Sequence, residues 1–207
     1  MLDEPVAYLD NACVTLKPQS VIDSIQDYYI NSPGCGGRSV HRYGTHVSKT
    51  ISQSRKKLSD FFSSPSVNEM VFTRNATHSL NQIAKGLDWN KGDVVLTTDR
   101  EHNSNLVPWL QLEQEQGIDH RIVRSNQDNT FSLESFEEAC ADAGTKLKMV
   151  SMSHVGNLDG VEIPVKEITR IAKDYGALVS IDGAQSAPHM NVNVQDLGID
   201  FYSFSIH

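Results

Sequence analysis

The sequence predicts an α/β domain built on a mostly parallel sheet. Three observations carry the prediction. Short apolar runs alternate with segments of helical period along most of the chain. The runs are apolar enough to be buried as strands inside a layered fold. Glycines 117, 144 and 176 stand where three of the helical patterns stop.

The elements follow in order. Residues 1–65 carry two helical patterns, near 18–30 and 46–62, joined by the Gly-rich loop "NSPGCGGRSVHRYG". "EMVFT" (69–73) is predicted as a first strand. "ATHSLNQIAKGL" after it sets Leu80, Ile83, Ala84 and Leu87 at helical spacing. "DVVLTT" (93–98) is a strand, followed by the helical "NLVPWLQLEQEQG" and the strand "DHRIVRS". "SLESFEEACADAG" puts Leu133, Phe136 and Cys140 on one helix face. "LKMVSMS" is a strand, and Val165, Ile168, Ile171, Ala172 and Tyr175 mark the next helix. "ALVSID" and "DFYSFS" complete the strands. There is no repeat and no low-complexity linker, so the economical division is an N-terminal arm (1–20) and one domain (21–207).

Composition narrows the function. The 207 residues hold 39% apolar and 21% charged side chains, which is ordinary for a globular protein. Eighteen Lys and Arg against 26 Asp and Glu give a net charge of −8 with no basic stripe, so nucleic acid is not the expected partner. The opening "MLDEPVAYLD" is acidic and lacks the apolar core of a signal peptide, and no stretch reaches the length of a membrane span. Three cysteines, Cys13, Cys35 and Cys140, are far apart and odd in number, which suits a reducing compartment. The expected location is the cytoplasm.

In open α/β sheets ligands gather at the carboxyl ends of strands. Mostly polar residues collect there: Asn75, Ala76 and Thr77; Glu101, His102 and Asn103; His154 and Asn157; Asp182 and Gln185; Ser205 and His207. Asp182, ending "ALVSID", is either a turn-forming or capping residue, or an acceptor that keeps a buried heterocyclic nitrogen protonated. Gln185 is either a surface amide or a second hydrogen-bonding group for the same ring. His102 is a loop histidine, a flat stacking partner or an acid–base group. Thr77 is a helix-start hydroxyl or, with the free N–H groups beside it, a phosphate ligand. Ser205 and His207 are strand-end polarity or further phosphate donors.

Other constellations are weaker. "PGCGGR" lacks the Lys-Ser/Thr and the preceding strand of a P-loop. His41 and His46 lack the metalloprotease spacing and there is no Cys-x-x-Cys, so no metal site is expected. Cys140 sits on an apolar face and belongs to the core.

Taken together, "YLDNACVTLKPQSVIDSI", "VFTRNATHSLNQIA", "EHNSNLVPW", "SHVGNLDGVEIPVKEI" and "DGAQSAPHMNVNVQDLGIDFYSFSIH" resemble successive motifs of class V aminotransferases, nearest the group II (Suf/Csd-type) cysteine desulfurases. The resemblance runs from about residue 7 to the last. It implies the large domain of a fold type I pyridoxal-phosphate (PLP) enzyme, a mostly parallel mixed sheet flanked by helices. Asp182 would pair with the pyridinium nitrogen, Gln185 with the phenolate oxygen, and His102 would stack on the ring and assist proton transfer. Asn157 would line the site. Asn75, Ala76, Thr77, Ser205 and His207 would form the phosphate cradle, and His41 and Arg42 would stand at the substrate entrance.

The resemblance also implies L-cysteine or selenocysteine as substrate, alanine and an enzyme persulfide as products, a homodimer, and a sulfur-acceptor scaffold in iron–sulfur assembly or other sulfur transfer. Another class V PLP enzyme remains the alternative, as does a non-catalytic fragment. The family's Schiff-base lysine would be residue 208, and its persulfide cysteine further on; none of the three cysteines here matches the latter. Two departures stand out: Ala76-Thr77-His78 replaces the usual Thr-Thr-Glu, and Ile206 replaces the glycine of Ser-Gly-His.

Overall fold

A computed structural model describes residues 6–206. The chain divides into two compact units, one running to Phe61 and taking in Ser66–Met70, the other holding Phe62–Pro65 and Val71–Ile206.

The first unit carries α1 (Gln19–Asn31) and α2 (Arg42–Phe61). The second helix starts four residues before the predicted 46, because His41 caps it: its Nδ1 accepts the Gly44 N–H at 3.3 Å. Gly44 is fixed by crowding, since a Cβ there would sit 2.4 Å from that of Ser39. Arg55 ties α2 to the following turn through Nε and the Met70 carbonyl, 3.0 Å apart.

The second unit is a three-layer sandwich. Its strands are β1 (Val94–Thr98), β2 (Asp119–Val123), β3 (Leu147–Ser153), β4 (Leu178–Asp182) and β5 (Phe201–Ser203). They form one five-stranded sheet in the order β2-β1-β3-β4-β5, every neighbour parallel. The helices are α3 (Ala76–Gly86), α4 (Asn103–Gln116), α5 (Leu133–Ala143), α6 (Val165–Asp174) and the short α7 (Val194–Leu197).

Alternation along the strands feeds two cores. Val94 and Leu96 of β1 pack with Phe136 and Cys140 of α5 and Ile168 and Ile171 of α6. Val95, between them, joins Ala84 of α3 and Trp109 and Leu112 of α4 on the opposite face. Burial pushes the Cys140 thiol up to about 12, as expected of a core cysteine. Because α4 covers one face and α5 the other, the chain reverses its direction of winding at β1. That reversal opens a crevice at the carboxyl ends of β1 and β3, the position where such sheets bind ligands.

One predicted strand is absent. Val67–Glu69 form a 3-10 turn capped by Ser66, and Val71 and Phe72 are exposed and pair with no strand among the described residues. A five-residue apolar run does not by itself distinguish a strand from an extended connection. No helix among the described residues is long and apolar enough to cross a membrane.

Candidate active site

At the β1 end, Arg100, Glu101 and His102 point to three different anchors. Arg100 bonds Asn129 Oδ1 at 2.9 Å and forms an ion pair with Asp159. Asp159 belongs to the turn that carries Asn157, and Gly156 leaves room for it: a Cβ there would lie 2.3 Å from the Asp159 carboxylate. Glu101 turns inward and joins the ends of β1 and β3 to α4. His102 is the N-cap of α4, its Nδ1 accepting the Ser104 N–H at 3.2 Å. A backbone N–H can only donate, so the cap leaves the imidazole proton on Nε2.

Next to them, at the end of β3, His154 is buried and its N–H donates to the Asp182 carbonyl at 2.9 Å. Its Nδ1 has no hydrogen-bond partner among the described residues. Burial lowers its pKa, opposed by Glu162 at 3.9 Å.

At the end of β4, Asp182 is only 4% exposed. Oδ1 accepts the Ala184 N–H at 3.0 Å, the turn-forming role expected of an Asp before Gly. That bond is too little to offset desolvation. Burial first, and the Glu101 charge after it, push the carboxyl up to about 6, against the Ala184 bond and a nearby His102. Gly183 is required by close approach: a Cβ would lie 2.1 Å from the Tyr202 ring. Tyr202 is held there by a 2.7 Å bond to Ser186, and burial carries its phenol up to about 12. Gln185 is half-buried in the turn that follows.

A third group forms where α3 begins. Asn75 caps the helix, its Oδ1 accepting the His78 N–H at 2.8 Å. The Ala76 N–H reaches Ser205 Oγ at 3.3 Å, and Ser79 and Ser203 hydroxyls meet at 2.8 Å. Thr77 follows in the exposed first turn. The sheet thus brings Ala76, Thr77 and Ser205 together across more than a hundred residues of sequence. Ile206 is 71% exposed, so its branched side chain packs against little. His207 lies outside the described residues. His41 and Arg42 lie in the N-terminal unit, with the Arg42 guanidinium 6.0 Å from the Tyr43 ring centroid. No cluster of three metal-ligating side chains occurs among the described residues.

Known proteins match this arrangement along nearly all of the chain. The family model of aminotransferase class-V covers residues 7–207. The chain belongs to that family. A probable cysteine desulfurase of Halalkalibacterium halodurans is 37% identical over 206 residues, 98% of this chain and 50% of the relative. The apo structure of a cysteine desulfurase from Thermococcus onnurineus superposes with a TM-score of 0.88 at 35% identity, covering 95% of this chain and 48% of that one. A C-DES structure with glycine covalently linked to its PLP cofactor superposes at 0.78 with 25% identity, over 91% of this chain and 48% of that one. The chain spans about half the length of the curated relatives it matches.

The strand ends single out Asp182, Gln185, His102, Thr77 and Ser205 as candidates. Glu101 and His154 stand beside them unchosen, and Tyr202, Ser203 and Ser79 escape that pattern. The signal for Glu101 was present: an acidic residue directly after a buried strand, facing two hydroxyl-bearing strand ends.

Proposed function

We propose that this chain is the cofactor-binding part of a PLP-dependent cysteine desulfurase of the group II type. The observation that carries the reading is Asp182, a buried carboxylate with one hydrogen bond among the described residues, destabilised as an anion until a cation meets it. A protonated pyridine nitrogen is such a cation. The first turn of α3, where the Ala76 N–H and Ser205 Oγ meet beside Thr77, suits a phosphate at the far end of the same ring. The residues fit the cofactor.

When bound, PLP supplies an electron sink for charge developing at the substrate's α-carbon. The chain's own work is to hold and orient it. Asp182 would keep the ring nitrogen protonated, and Gln185 would hydrogen-bond the phenolate oxygen. Asn75, Ala76, Thr77, Ser205 and His207 form the phosphate cradle. His102 would stack on the ring and assist proton transfer, with its own proton on Nε2. Asn157 lines the site, held by the Arg100–Asp159 pair, and His41 and Arg42 stand at the substrate entrance. The remaining parts of the reading rest on the class V resemblance: an arm (1–20) before a large domain (21–207), a homodimer, a cytoplasmic location, and a scaffold protein that accepts sulfur for iron–sulfur assembly or other transfer.

The test is turnover of L-cysteine by the full-length protein loaded with PLP. Alanine and protein persulfide in equal amounts are expected. Pyruvate and ammonia without persulfide would replace this reading with that of another class V lyase.

A further inference from the structure

Glu101 makes more hydrogen bonds than any loop residue requires. Its Oε1 accepts from Thr98 N–H (3.3 Å), Thr98 Oγ1 (2.6 Å) and Ser153 N–H (3.1 Å). Its Oε2 accepts from Asn105 Nδ2 and Ser153 Oγ, each at 2.7 Å. Asn105 is fully buried, and its Oδ1 in turn accepts Ser151 Oγ at 2.6 Å. A carboxylate offers about four lone-pair sites, and these five contacts fill them. Glu101 therefore has nothing left for acid–base chemistry, although it stands beside the strand-end residues that face the crevice.

What the network does is fix a junction. It clamps the end of β1 to the end of β3, across the point where the winding reverses, and pins the first turn of α4 to both. His102 is the next residue along the chain and caps that same turn. We propose that Glu101 is a positioning residue, holding His102 in its capping orientation so that the imidazole presents Nε2–H toward the site. The proposal deepens the desulfurase reading and rests on it for the role of His102, but the placement of the ring is measurable without turnover.

The donor pattern supplies the test. In E101Q the amide NH2 replaces Oε2 and meets the Asn105 NH2, donor against donor. N105D alone brings two carboxylates together. The swap E101Q/N105D restores every bond. The carboxylate now at position 105 accepts from the amide now at position 101 and still accepts from the Ser151 hydroxyl, while the Ser153 hydroxyl rotates to accept. In the full-length protein, nitrogen-15 signals of the His102 ring and amide exchange at Ser104 are followed first, without substrate. E101Q and N105D are each expected to shift the His102 signals and lower Ser104 protection about tenfold, and the swap to restore both. With L-cysteine, kcat is expected to fall about tenfold in E101Q with KM within about twofold, and to add nothing further to the loss in H102A.

Unchanged His102 signals in both single variants overturn the proposal, as does a swap that folds without restoring them, or losses in E101Q and H102A that multiply. Should the wild-type protein release no persulfide, the desulfurase reading fails, while the ring signals still decide whether Glu101 positions His102.

Discussion

Asp182 and Glu101 are both carboxylates at the ends of parallel strands in one sheet, and the fold treats them oppositely. Glu101 is half-buried and accepts five hydrogen bonds from its own protein. Asp182 is more deeply buried and accepts one among the described residues. A saturated carboxylate is part of the scaffold, whereas an unsaturated one in a dry site costs stability until something from outside completes it. The two lie close enough that the first raises the second: the Glu101 charge adds to the burial that drives Asp182 up to about 6. The difference separates framework from proposed ligand site more sharply than residue type does.

The comparison breaks most visibly with Asp182→Asn. An amide cannot balance a ring cation, and losing one partner of a buried charged pair costs about 3–5 kcal/mol, roughly 10²–10⁴-fold in kcat/KM for L-cysteine. Steady-state kinetics on the full-length protein would read it. The same substitution should act in the other direction on the cofactor-free protein. With the folded carboxyl at about 6 against an ordinary value of 3.8, the native form holds more protons between those values. Stability is then fully present below about pH 4 and falls as pH rises through 6, by roughly 3 kcal/mol. Urea melts at pH 4.5 and 7.5 would show that slope in the wild type and its loss in Asp182→Asn.

Gly183→Ala tests the wall behind the carboxylate. The new methyl meets the Tyr202 ring, and relieving that overlap costs about 1–3 kcal/mol by denaturant unfolding. The smallest effect is expected at the other end of the ligand. Ser205→Ala removes one hydroxyl from the α3 cradle and should weaken PLP retention about fivefold, or about 1 kcal/mol, by absorbance titration. A loss as large as that of Asp182→Asn would mean that the phosphate end, not the ring nitrogen, dominates binding.

Much of this fold was legible in local pattern. Alternating strand and helix signals gave β1 to β5 and α3 to α6 within a few residues, and Gly117 does stop α4 in the left-handed region, at φ 72°. "EMVFT" misled because burial, not apolarity, makes a strand, and Val71 and Phe72 have none to share. Asp182 was visible because a charge ending a buried run is unusual wherever it falls. The Glu101 network was not, because its partners depend on strand register. Ser153 lies 52 residues away and meets Glu101 only once β1 and β3 align, past an irregularity between Val94 and Val95. The Ser79–Ser203 contact, 124 residues apart, was hidden for the same reason.

That dependence bears on β5, paired to β4 through Ser180–Phe201, Ile181–Tyr202 and Asp182–Ser203. Its alternate residues are sorted by chemistry. Ser203 and Ser205 turn to the start of α3, while Tyr202 and Phe204 stack with Phe62, ring centroids 5.7 and 4.4 Å away. Deleting a single residue between α7 and β5 would exchange the two sets, setting aromatic rings against the helix and hydroxyls against Phe62. The loop before β5 is therefore a reading frame, intolerant of any change in its count.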